Sequence, residues 1–101
     1  MDARGASVYF FMKHLHLKIF GVVQDVNFRW YARKEAKRLS LNGWVKNMSD
    51  GTVEIVVEGE EEKLKEFLEW CKIGPRGAIV SRVEEEWGEG EREFGDFKIR
   101  F

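Results

Sequence analysis

At 101 residues the chain has the size of one domain, able to bury roughly 65% of its unfolded surface and so to hold a core without metals or disulfides. Its hydrophobic content of 44%, with 17 basic and 18 acidic residues, is that of a soluble globular protein, and no apolar run approaches the ~20 residues that span a bilayer. Residues 1–13 lack a signal-peptide layout and the one cysteine, Cys71, has no partner for an internal disulfide, so a membrane protein and a secreted disulfide scaffold are excluded and the cytoplasm is the expected compartment.

In chain order, residues 1–12 read as a flexible N-terminal extension ahead of a domain spanning 13–101, although Val8, Tyr9, Phe10 and Phe11 leave an added edge strand as the alternative. Leu15, Leu17 and Ile19 alternate with His14, His16 and Lys18, which predicts a half-buried strand over 13–22. The loop of residues 21–27 then opens a helix over about 28–40, on which Phe28, Ala32, Ala36 and Leu39 recur at helical spacing, and Asn42-Gly43 is expected to end it. Trp44 to Asn47 reads as a short strand, Asp50-Gly51 as a turn, and the alternation of Val53, Ile55 and Val57 as the second strand of a hairpin. Three glutamates after Gly59 favour the positive end of a second helix with the apolar stripe Leu64, Phe67, Leu68 and Cys71, stopped at Gly74-Pro75. Residues 78–87 form a further strand, Gly88 to Gly95 a loop, and Phe97, Ile99 and Phe101 a last strand.

That order predicts an α+β fold, the ferredoxin-like βαββαβ (split βαβ) sandwich with an additional C-terminal strand: a mixed, largely antiparallel sheet carrying two helices on one face. A right-handed crossover makes the first two strands parallel, with the third antiparallel between them. The loop after the first strand and Asn47 at the end of the second then emerge at one end of the sheet, about 10 Å apart.

Net charge hides an asymmetry. Residues 1–50 hold 9 basic and 4 acidic side chains, residues 51–101 hold 8 and 14. Two solvated faces of opposite sign account for this, as does a basic half that draws in a small anion. The basic residues from Arg29 to Lys46 are not interleaved with aromatics at strand spacing, which argues against a nucleic-acid patch.

The loop Gly21-Val22-Val23-Gln24-Asp25-Val26-Asn27-Phe28 enters a helix N-terminus, where unpaired N–H groups and a partial positive charge suit a phosphate. Arg29, in the first helical turn, is either a surface arginine or a guanidinium fork for two phosphate oxygens. Asn47 is locally a turn residue before Met48 to Gly51, or an amide whose oxygen holds a water. His14 and His16 share a strand face but lack a third metal ligand. Cys71 belongs to the apolar stripe of its helix.

Gly21, Val23, Gln24, Val26, Phe28 and Arg29, with Gly43-Trp44-Val45, Asn47, Asp50-Gly51 and Val53-Glu54, closely resemble the acylphosphatase patterns G-x-V-Q-G-V-x-F-R and G-W-V-x-N followed by D-G-x-V-E, and the likeness covers residues 14–101. The resemblance implies hydrolysis of acyl phosphates to carboxylate and inorganic phosphate, with Arg29 and the loop amides binding the phosphoryl group and Asn47 positioning the water. It implies no cofactor, metal or separate protein base, a monomer, and no nucleic-acid or membrane partner. Asp25 departs from the family's glycine and places a carboxylate in the anion cradle. That leaves a non-catalytic small-anion-binding module as an alternative. A ferredoxin-like RNA-binding module is the other, against which Gly51 to Glu58 offers no aromatic.

Overall fold

β1 (Met12–Val22) buries Leu15, Leu17 and Ile19 and turns His14, His16 and Lys18 to the opposite face, the period of two expected of a strand covered on one side. The coordinates are those of a computed structural model that describes residues 12–101. Of the expected extension over 1–12, and of its edge-strand alternative, all but Met12 lies outside the described residues.

After β1 come α1 (Phe28–Arg38), β2 (Asn42–Asn47), β3 (Val53–Gly59), α2 (Glu61–Ile73), β4 (Ile79–Gly90) and β5 (Phe97–Arg100). The sheet order is β4-β1-β3-β2-β5. β3 runs antiparallel to both β1 and β2, β4 antiparallel to β1, and β5 parallel to β2. Two helices thus pack on a mixed five-stranded sheet, as the element order predicts. The apolar face of α1 (Phe28, Ala32, Ala36) and that of α2 (Leu64, Phe67, Leu68, Cys71) close over Leu15, Leu17, Ile19, Val45, Ile55, Val57 and Phe97 of the sheet. Phe67 meets Phe97 edge-on with ring centroids 6.2 Å apart, so the terminal strand is fastened to the core by aromatic packing.

Three boundaries differ from the sequence expectation. α1 ends at Arg38, with Ser40 in the left-handed conformation (φ 58°), and Asn42-Gly43 starts β2 instead of stopping the helix. Gly43 is needed there because β2 presses against β3: a Cβ on it would stand 1.9 Å from Val56 O. β4 runs on to Gly90, through glycines that read locally as loop, because the length of β1 supplies partners for them, His14 for Gly88 and Met12 for Gly90. The turn between β4 and β5 is held from below by Glu58, which is fully buried and accepts from the N–H groups of Glu93 and Phe94 at 3.0–3.2 Å.

Candidate active site

The two parallel strands deliver their ends to one place. Val53 on β3 pairs with Ile19 of β1 on one side and with Asn47 of β2 on the other, so Asn47 stands one strand away from the start of the loop after β1. Gly21 still belongs to β1, and its role is close approach: at the register shift after Phe20 a Cβ would lie 2.0 Å from Ile79 O.

From Val23 the chain curls into α1 through Asp25 (φ 63°) and Asn27 (φ 61°), both left-handed. Such residues turn successive N–H groups toward one concave side. Asp and Asn adopt the conformation more readily than most residues, so the carboxylate at position 25 is accommodated where the family pattern has glycine. Asn27 caps the helix by conformation alone, without a side-chain bond. The first helical bond runs from Tyr31 N–H to Asn27 O at 3.1 Å, which leaves the N–H groups of Phe28, Arg29 and Trp30 without an intrahelical acceptor.

A cleft of about 200 Å³ opens over this helix end, lined by Val23, Asp25, Asn27, Phe28, Arg29, Trp30, Asn47, Ile99 and Phe101. Arg29 is oriented from β5: its Nη1 donates to Arg100 O at 3.2 Å, and its guanidinium lies 4.7 Å from the centre of the Phe101 ring. One donor is thereby used, and the remaining edge of the fork is left for a ligand. Asn47 Oδ1 is buried without a hydrogen-bond partner among the described residues.

Gln24 does not face the cleft. Its Nε2 donates both hydrogens across to the turn that follows Asn47, to Met48 O at 2.7 Å and Thr52 O at 3.0 Å, tying the loop after β1 to the β2–β3 turn. That turn is stiffened in turn by Asp50, whose Oδ1 accepts from Thr52 Oγ1 at 2.6 Å and Thr52 N at 3.1 Å. The Thr52 hydroxyl, then the Thr52 N–H and the Lys18 ammonium hold the Asp50 carboxyl down at about 2.

Of the residues singled out from sequence, the cleft brings together Val23, Asp25, Asn27, Phe28, Arg29 and Asn47, while Gly21, Val22, Gln24 and Val26 do not line it. Val26 packs against the core and Val22 is exposed. Sequence reasoning missed Trp30, Ile99 and Phe101. Adjacency to Arg29 and the alternation of the last strand were the signals that could have found them.

Elsewhere little is left for chemistry. A larger cleft of about 390 Å³ is lined by Lys13, Glu61, Lys65, Trp87, Gly88 and Glu89, but its charges pair with one another, Lys13 with Glu89 at 2.8 Å and Lys65 with Glu61 at 3.0 Å. Cys71 is sealed in the core, where burial pushes its thiol well above the ordinary range. His16 Nε2 lies 2.6 Å from Glu54 Oε2, and among the described residues no group of three His, Cys, Asp or Glu side chains is placed to hold a metal ion.

A sequence model of the family described as "Acylphosphatase" matches residues 15–99. The chain belongs to the acylphosphatase family. It is 50% identical over 89 residues to an acylphosphatase of Thiobacillus denitrificans, covering 88% of this chain and 98% of that one. With an acylphosphatase of Thermococcus kodakarensis the identity is 49% over 76 residues, 75% of this chain and 84% of the relative. The crystal structure of acylphosphatase from Bacillus subtilis superimposes with a TM-score of 0.85 at 34% identity, over 88% of this chain and 99% of that one.

Proposed function

We propose that the acylphosphatase cleft works as follows: the phosphoryl group of an acyl phosphate rests on N–H groups of the loop that lines the cleft, from Val23 to Phe28, and of the first turn of α1, and on the free edge of Arg29, and Asn47 positions the attacking water. The observation that carries this reading is that Arg29 and Asn47, 18 positions apart in sequence, line one cleft over a helix N-terminus. The unpartnered Asn47 Oδ1 supports the water role. A buried acceptor left without a donor costs about 1–3 kcal/mol, and a water between it and the phosphorus supplies that donor.

The reaction needs no further group. The water oxygen attacks phosphorus, the bond from phosphorus to the acyl oxygen breaks and its electron pair leaves with the carboxylate, and the water proton passes to a phosphoryl oxygen. Catalysis then consists of positioning and of neutralising charge on the phosphoryl oxygens. The residues proposed to act in the cleft all come from one chain, which supports a monomer as the working unit. A cytoplasmic location is part of this proposal; among the described residues no helix is long and apolar enough to cross a membrane.

Phosphate release from benzoyl phosphate, with inorganic phosphate as competitive inhibitor, tests the reading. Arg29→Ala removes the only side-chain cation lining the cleft among the described residues, and loss of one such electrostatic partner costs about 100- to 1,000-fold. Both turnover and phosphate inhibition fall together. Retention of more than about a tenth of kcat/KM, equivalent to under ~1.4 kcal/mol, refutes the assignment.

A further inference from the structure

The acylphosphatase reaction fixes what lies in the polar half of the cleft and leaves the other half unexplained. Beside the helix N-terminus and Arg29, the wall is made by Trp30, Ile99 and Phe101. Trp30 is 51% exposed and Phe101 93% exposed. Single exposed apolar residues are ordinary; here two aromatic rings and an isoleucine converge on one opening, next to a site for an anion.

The rings are also braced. Tyr31 meets Trp30 at 4.8 Å and 89°, and the Lys34 ammonium, one turn further along α1, lies 5.3 Å from the Trp30 ring. The Arg29 guanidinium holds Phe101. None of these neighbours covers the indole, which keeps half its surface open while its position is set.

Resting on the proposed roles of Arg29 and Asn47, we infer that this half of the cleft is an acyl-group subsite selective for acyl phosphates with a single aromatic ring, and that Trp30 is its principal determinant. A phosphoryl group seated on the N–H groups of Phe28, Arg29 and Trp30 directs its acyl substituent outward past the Trp30 side chain. The cavity of about 200 Å³ is below the roughly 300–1,000 Å³ of pockets for drug-sized ligands, which limits the occupant to the phosphoryl group and a small acyl. Aromatic stacking contributes roughly 2- to 12-fold in affinity beyond simple burial, and an acetyl group cannot draw on it.

The experiment compares kcat/KM for benzoyl phosphate and acetyl phosphate in the wild type, Trp30→Ala and Trp30→Phe. Phenylphosphonate, methylphosphonate and inorganic phosphate serve as competitive ligands measured by calorimetry. Trp30→Ala lowers the benzoyl-to-acetyl ratio about tenfold, Trp30→Phe recovers most of it, and inorganic phosphate affinity moves less than twofold. The same preference appears as tighter binding of phenylphosphonate than methylphosphonate, lost in Trp30→Ala. A ratio that moves less than twofold overturns the subsite, and so does a fall in phosphate affinity as large as the fall in the ratio, since Trp30 would then be supporting the cradle itself. If the wild type hydrolyses neither substrate, the roles of Arg29 and Asn47 fail, and the two phosphonates alone decide whether the aromatic subsite exists.

Discussion

Gln24→Glu exchanges one nitrogen for one oxygen and should act like a severed tether. The wild-type amide gives two hydrogens, to Met48 O at 2.7 Å and Thr52 O at 3.0 Å. A glutamate carboxylate there has none to give and sets a negative charge against two carbonyl oxygens. Each bond contributes about 0.5–1.5 kcal/mol net, so losing both costs about 2 kcal/mol, or roughly 8–16 °C in Tm for a domain of this size. The second effect is geometric: the loop proposed to cradle phosphate loosens from the turn that follows Asn47, and a misplacement of about 1 Å costs on the order of 100-fold in rate. Protonation restores one donor. The two carbonyl oxygens hold the new carboxyl above the ordinary glutamate value near 4.3, so the variant recovers kcat and Tm relative to wild type as the pH falls toward that value, whereas Gln24→Ala, equally deprived of both bonds, shows no such recovery. Steady-state kinetics and thermal melts at intervals from pH 4 to 8 read both effects. If Gln24→Glu and Gln24→Ala stay parallel across that range, the bidentate tether is not what aligns the two halves of the site.

Asn47→Ala lowers kcat by about 100-fold while the inhibition constant of inorganic phosphate moves little; an equal loss in both would reassign Asn47 from the water to the phosphoryl group. Asp25 is exposed at the rim of the cleft, so its repulsion of a substrate anion about 7 Å away lies near the aqueous limit of ~0.6 kcal/mol. Asp25→Asn and Asp25→Gly should both tighten phosphate about threefold, and a gain from glycine alone would identify loop conformation instead of charge. Asp50, held at about 2, contributes stability in full above its unfolded value near 4 and loses it as the pH falls toward 2. The Tm gap between wild type and Asp50→Ala accordingly closes over that interval, and a gap independent of pH would contradict the carboxylate's role in the turn.

The fold was readable where local pattern and pairing agree. Leu15, Leu17 and Ile19 alternate on β1, Phe28, Ala32 and Ala36 stride along α1, and their order implied β3 between β1 and β2, as found. It was unreadable where a distant partner overrides a local signal. Gly88 and Gly90 read as loop yet lie in β4, because β1 extends far enough to pair with them, and Asn42-Gly43 reads as a helix stop yet opens a strand. At the site, Arg29 and Asn47 stood out through the family pattern, and the structure places both on one cleft. The residues that orient or surround them did not stand out, for a common reason. Arg100 O, Ile99 and Phe101 reach the cleft through the parallel pairing of β5 with β2, a relation with no local periodicity to reveal it. Gln24 belongs to the loop whose backbone amides the family pattern assigns to phosphate, and only the turn's carbonyls show where its side-chain amide points.

The bond from Arg29 to Arg100 O spans 71 positions of sequence. A ribosome adding ~5–20 residues per second takes about 4–14 s to cover that distance. For most of that time the nascent chain carries both the loop after β1 and Asn47, but the strand that holds the guanidinium has yet to be made. The contact that orients Arg29 thus forms late in the life of the growing chain, only when β5 docks beside β2.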